Sequence, residues 1–133
     1  MNPLVIALIA VVLILVVLAI IGPGTNRQAK KAVYDEVARC AALLGGDISS
    51  RRDCVIRLDS LLSKSLRVAG IRGGTTGERL KNAKTLFSRS NYDDIWEAHK
   101  LRNRIVHEEY SPKSSEVSKA AQTFKMAIRK LLK

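Results

Sequence analysis

The sequence predicts an all-α protein, with a single N-terminal transmembrane helix followed by a small bundle of four to five helices. Three observations predict it. Leu4 to Ile21 is an unbroken run of eighteen apolar residues. Beyond that run, apolar residues recur at three- and four-residue steps, the period of one helical face. No segment sustains the period-two alternation of a half-buried strand, and no internal repeat is visible.

Composition agrees once it is divided. The chain has 133 residues, 47% hydrophobic and 26% charged, with a formal net charge of +11. All 23 basic and 12 acidic residues follow Ile21, so a wholly apolar segment precedes a strongly basic one. This excludes a freely soluble protein, a multi-span membrane protein and, with 2 cysteines, a disulfide-built scaffold. The division is residues 1–24 as a transmembrane anchor with a Gly-Pro-Gly hinge, 25–46 as a juxtamembrane helix, and 47–133 as the bundle.

Eighteen helical residues span roughly 27 Å, close to the hydrocarbon thickness of a bilayer. Lipid leaves a helix as the only single-segment way to satisfy the backbone, despite the Val- and Ile-rich composition. Pro3 stands at the start, and Gly22-Pro23-Gly24 stands at the end, where helix breakers belong. A cleaved signal peptide fits poorly. Met1-Asn2-Pro3 carries no Lys or Arg, the run is too long, and Gly22-Pro23-Gly24 is not a small-x-small cleavage site. Arg27, Lys30 and Lys31 follow the span and no basic residue precedes it. The positive-inside rule therefore predicts a single-pass protein of the cell membrane, N-terminus outside and C-terminal domain cytoplasmic. Cys40 and Cys54 lack metal-ligand spacing and read as reduced core thiols, which suits that compartment.

The first helix of the basic part is expected from Asn26 to Leu44, with Ala29, Val33, Val37, Cys40, Ala41 and Leu44 on one face and Gly45-Gly46 ending it. Asp47, Ser49 and Ser50 are candidate caps for the next helix. Val55, Leu58, Leu62, Leu66 and Ala69 form its stripe, and Gly70 closes it. Arg72-Gly73-Gly74-Thr75-Thr76-Gly77 invites a phosphate-loop reading. No Lys-Ser or Lys-Thr follows and no buried strand precedes, so a connector capping the next helix is preferred. A short helix is expected from Glu78 to Ser88, with Leu80, Ala83 and Leu86-Phe87 inward. Ser90-Asn91 opens a helix from Tyr92 to about Glu109, and Ser111-Pro112 breaks it. The last helix starts at Ser114 or Ser115 and buries Val117, Ala120, Ala121, Phe124, Ile128, Leu131 and Leu132.

The helix from Tyr92 carries both histidines of the chain. His99, Asn103 and His107 are four apart and share a face, with Trp96, Val106 and Tyr110 near it. Arg102 precedes His107 by five residues, about 140° round an ideal helix. A long side chain or a second copy of the chain would be needed to bring the two together.

Arg102-Asn103-Arg104-Ile105-Val106-His107 resembles the R-polar-x-x-x-H motif of the HEPN superfamily, with Asn at the polar position. The Trp-Glu-Ala-His-Lys-Leu lead-in, the following Glu-Glu, a turn and a closing helix are similar too. The resemblance covers roughly residues 49–133. It implies a helical bundle that forms a homodimer through the motif helix and, in active members, cuts RNA without a metal or cofactor. It makes Arg102, Asn103 and His107 the catalytic candidates. His107 would act on the 2′-hydroxyl or the leaving oxygen, Arg102 would stabilise phosphate charge, and Asn103 would orient one of them. Lys100 and Arg104 become nucleic-acid-binding candidates, and His99 and Tyr110 auxiliary ones.

The residue types suit that chemistry independently. Histidine exchanges a proton near neutral pH, and the guanidinium fork of arginine matches phosphate oxygens. Two histidines at i and i+8 cannot share a metal ion within one chain. Each residue also has a plain structural reading. His107 would favour the helix C-terminus electrostatically, Arg102 would pair with Glu97, Glu108 or Glu109, and His99 would be a half-buried core residue with one hydrogen bond. The net charge suits RNA and equally suits anionic lipid headgroups at an inner membrane face. The leading expectation is RNA or nucleotide binding, with metal-independent RNA cleavage as the enzymatic form. The alternatives are a non-catalytic helical interaction or dimerisation module tethered at the inner membrane face, and a basic lipid-facing scaffold.

Overall fold

The structure is a computed structural model that describes residues 2–21 and 23–133. It is all-α, with no strand among the described residues. In chain order the helices are α1 (Pro3–Ile21), α2 (Pro23–Ala41), α3 (Ile48–Val68), α4 (Thr76–Asn82), a 3-10 turn (Lys84–Leu86), α5 (Arg89–His107) and α6 (Ser114–Leu131).

Helix α1 has 19 residues and is long and apolar enough to cross a membrane. Its side chains are exposed throughout Leu4 to Ile20. Asn2 starts it, the side-chain oxygen accepting the Leu4 N–H at 3.1 Å, and Pro3 takes the first helical position. Gly22 lies outside the described residues. Pro23 and Gly24, expected to belong to a hinge, form the first turn of α2 instead, so that helix begins three residues before Asn26. Proline fits there because a first-turn residue has no helical acceptor for its N–H in any case.

Helix α2 ends at Ala41, short of the expected Leu44, and the chain tightens into successive turns through Gly46. Val33 and Cys40 are fully buried against the bundle, and Arg57 of α3 donates to Glu36 at 3.3 Å. Helix α2 is thus packed on the bundle from Lys30 to Cys40 and is not a free-standing stalk. Asp47 caps α3, its carboxylate accepting the Ser50 N–H at 2.8 Å. Gly46 must be glycine, because a Cβ there would sit 2.6 Å from Ser50 Cβ.

Helix α3 is the central element, packed by α2, α5 and α6, and it buries Val55, Leu58, Leu62 and Leu66 completely. It closes with a Schellman motif. The Ile71 N–H reaches the Leu66 carbonyl and the Gly70 N–H the Arg67 carbonyl, both at 2.9 Å, with Gly70 at φ +80°. The glycine-rich loop then caps α4, as expected. Thr75 Oγ1 accepts the Glu78 N–H at 3.1 Å, and Glu78 accepts those of Thr75 at 3.3 Å and Gly74 at 2.6 Å. Helix α4 is only 7 residues long, and the 3-10 turn after it leaves Leu86 41% exposed instead of inward, while Phe87 is buried.

Helix α5 starts at its cap Ser88, earlier than expected, and stops at His107. It runs antiparallel to α3, because Arg52 of α3 meets Ile105 while Asp59 meets His99. Helix α6 supplies Val117, Ala120, Ala121, Phe124 and Ile128 to the core as its stripe predicts, with Ala127 in addition. Leu132 is buried just after it, while Leu131 is only half-buried. Both cysteines are buried and free. Loss of hydration pushes the Cys54 thiol up to about 11, so it stays protonated and inert at neutral pH.

Candidate functional site

The polar residues of α5 divide between two sides of the helix. One side faces α3 and the loop before α4, across an open cleft of about 510 Å³. From α3 come Asp59, Ser60, Ser63 and Arg67, spaced so that one helical face presents all four. From α5 come His99, Arg102 and Asn103, and Thr75 to Gly77 form the third wall.

Asp59 organises the cleft. Its side chain is only 4% exposed, and a carboxylate at that depth needs partners. His99 Nδ1 stands 2.7 Å from Asp59 Oδ1. An ionised carboxylate only accepts, so the proton of that bond sits on Nδ1, leaving Nε2 as the ring's other nitrogen. Asp59 Oδ2 faces Arg102 Nε at 3.7 Å, an ion pair without a hydrogen bond. Arg102 Nη1 in turn donates to Asn103 Oδ1 at 3.0 Å. Trp96 packs edge-on against the His99 ring, centroids 5.8 Å apart, and lies beneath Gly77, where a Cβ would touch it at 3.5 Å. The aromatic stack and the carboxylate together fix the imidazole.

The other side of α5 faces α6 and encloses a smaller cavity of about 230 Å³. Lys100 and Arg104 lie there, not in the cleft. Lys100 pairs with Glu97 at 2.8 Å, and Arg104 stacks on the Tyr110 ring at 3.7 Å from its centroid. The Tyr110 hydroxyl donates to the Glu116 carboxylate at 2.9 Å. Asp94, Glu97 and Glu116 match Lys100, Arg104 and Lys119 in number around this cavity, so it presents no surplus positive charge. The N–H of Lys113, above all, and the Tyr110 hydroxyl hold the Glu116 carboxyl below its ordinary value. Tyr110 therefore clamps the end of α5 to the start of α6.

Arg102, Asn103 and His99 thus meet in one cleft, and His107 does not join them. His107 is the last residue of α5 and is exposed, and it is not among the residues lining the cleft. The helix ends there because Glu108 caps it and Glu109, at φ 52°, turns the chain away. His99 has the expected half-core character, with one hydrogen bond. Arg102 faces Asp59 and Asn103 and pairs with none of Glu97, Glu108 or Glu109. Sequence reasoning missed Asp59, although one signal was present: it stands four residues after Val55 and three before Leu62, a carboxylate inside the buried arc. Ser60, Ser63, Arg67, Thr75 and Thr76 carried no such signal.

Among the described residues no three His, Cys, Asp or Glu side chains converge as a metal site. Compared with known proteins, the chain matches no family model, no curated protein and no solved structure.

Proposed function

We infer that the chain is a membrane-anchored module whose helical bundle binds RNA or a nucleotide through the cleft between α3 and α5. The observation that carries this reading is the Arg102–Asn103 pair: a guanidinium and an amide held 3.0 Å apart on the wall of an open polar cleft. Arg67 and the hydroxyls of Ser60, Ser63, Thr75 and Thr76 share that cleft, a set that suits phosphate and ribose oxygens. The R-N-x-x-x-H resemblance to the HEPN superfamily points to the same ligand. The all-apolar α1 and the basic flank after it support an anchor with the bundle on the cytoplasmic side.

Cleavage in this reading is attack of the RNA 2′-hydroxyl on the adjacent phosphorus with departure of the 5′-oxygen. A 2′,3′-cyclic phosphate remains. One group takes the 2′ proton, another protonates the leaving oxygen, and Arg102 stabilises the charge gathering on the phosphate. His107 reaches such a phosphate only from a second copy of the chain, the arrangement implied by a dimer through α5.

The test uses the full chain in lipid nanodiscs with single-stranded RNA in EDTA. Expected is cleavage leaving cyclic phosphate ends, abolished by Arg102→Ala with the helical content intact. RNA binding without cleavage retains the module and removes the enzyme. Absence of RNA and nucleotide binding by folded protein overturns the reading. The exposure of Val106 (41%) beside His107 favours a second reading, a contact surface for another protein or copy at the end of α5. There, His107→Ala shifts oligomeric state and leaves RNA handling unchanged.

A further inference from the structure

A second cavity, of about 390 Å³, lies at the end of the bundle where the chain leaves α1. Its lining brings Lys30 of α2 together with Lys130 and Lys133 at the end of α6. Asn26, Leu86 and Leu131 complete the part that matters here. Lys30 Nζ donates to the Lys133 main-chain oxygen at 3.4 Å, which draws the two termini of the bundle together. Lys130 extends over the Phe87 ring, 5.8 Å from its centroid.

The segments that build this end contain no acidic side chain. None occurs before Asp35, none between Asp59 and Glu78, none between Glu78 and Asp93, and none after Glu116. Elsewhere the bundle pairs its charges, as at Lys31–Asp35, Arg57–Asp53 and Lys119–Asp94. Among the described residues no Asp or Glu side chain pairs with the three lysines of the cavity, and Lys30 meets only the Lys133 main-chain oxygen.

Connectivity fixes where the cavity sits. Asn26 follows Ile21, the last residue of α1, by five positions. Helix α2 begins at Pro23, so two steps of at most about 3.5 Å and three helical steps of about 1.5 Å put the cavity edge within roughly 12 Å of the end of the span. The headgroup layer is about 5–8 Å deep, so the cavity edge lies within about one Debye length, roughly 8 Å, of its outer surface. Leu86, turned outward by the 3-10 turn and 41% exposed at the rim, gives the acyl-proximal part of a lipid an apolar surface, and lysine stems add to it.

We propose that this cavity is a binding site for the headgroup of an anionic phospholipid, whose phosphate is held by Lys30, Lys130 and Lys133. The proposal rests on the anchor reading of α1 and is independent of the RNA reading. Its consequence is to hold the bundle in a fixed pose against the bilayer, with the start of α2 and the end of α6 down.

The test uses the full chain in vesicles of phosphatidylcholine alone or mixed with phosphatidylglycerol, followed by mild detergent extraction and native mass spectrometry of retained lipid. The wild-type chain should retain phosphatidylglycerol over phosphatidylcholine. At roughly fivefold per lysine, the triple substitution Lys30→Gln, Lys130→Gln and Lys133→Gln should weaken that retention by about a hundredfold. A triple of equal charge change at the opposite end, Arg39→Gln, Lys113→Gln and Lys119→Gln, should keep it. If the first triple fails to fold by circular dichroism, Lys130→Gln with Lys133→Gln, both exposed, should still lose at least about tenfold. Equal losses in the two triples, no lipid preference, or saturation by inorganic phosphate as readily as by lipid each overturns the site. Release of the chain from vesicles by alkaline carbonate overturns the anchor reading itself. A chain that stays embedded without lipid preference overturns only the headgroup site.

Discussion

The two sides of α5 carry the same kinds of residue and use them differently. Toward α6, Lys100 and Arg104 are met by Glu97, Tyr110 and Glu116, and every charge is answered close to solvent. Toward α3, one buried carboxylate serves both His99 and Arg102, and the cationic side chains outnumber the acids. The first arrangement fastens two helices together. The second keeps hydrogen-bonding capacity unspent in an open cleft, which is what a ligand needs. Location relative to a buried acid, more than residue type, separates a clamp from a site.

The largest effect expected from breaking this contrast is at Asp59. Asp59→Ala leaves His99 and Arg102 without their shared carboxylate and should cost about 3 kcal/mol. Urea unfolding of the full chain in detergent, read by Trp96, checks it, since Trp96 is the only tryptophan and lies against His99. A loss below roughly 1 kcal/mol would make the cleft no more integrated than the surface. Tyr110→Phe removes only the hydroxyl on the Glu116 carboxylate and should cost about 1 kcal/mol in the same assay.

Glu116 gives the α6 side a pH signature. Its carboxyl lies below the ordinary value of 4.5 in the folded chain, chiefly through the Lys113 N–H. The stabilisation is therefore complete above that value and is lost as pH falls through the lowered one. Glu116→Gln should flatten that acid limb of the stability profile, and an unchanged limb would assign it to other carboxylates. Smallest is Lys100→Ala. Its ion pair with Glu97 is solvent-exposed, so stability should change by less than about 0.5 kcal/mol. A larger RNA-binding defect there than in Arg102→Ala would reverse the assignment of the two sides.

Much of the fold was legible in the residues because it rests on local periodicity. The stripes of α3 and α6 and the Asp47 and Thr75 caps are all set within a turn or two of chain. Leu86 escaped that reading because a 3-10 turn does not keep the 3.6-residue phase. The site was half legible. Arg102 and Asn103 share a cleft as neighbours on α5, but Asp59 enters from forty residues away and pairs across helices. Helical spacing groups His107 with His99 and Asn103, and the motif resemblance groups it with Arg102 and Asn103. Sharing a face does not put residues in one cavity when the neighbouring wall, here the start of α4, covers only part of the helix.

The short link between α1 and the first buried side chain of α2 has a kinetic meaning. Val33 locks into the bundle twelve residues after Ile21. With α1 embedded, the bundle diffuses in two dimensions, and two copies meet at a rate set by their number per area of membrane. In the proposed reading, a contact between α5 helices too weak to form in free solution would become populated on a crowded bilayer, and the amount of protein per membrane would govern how many copies pair.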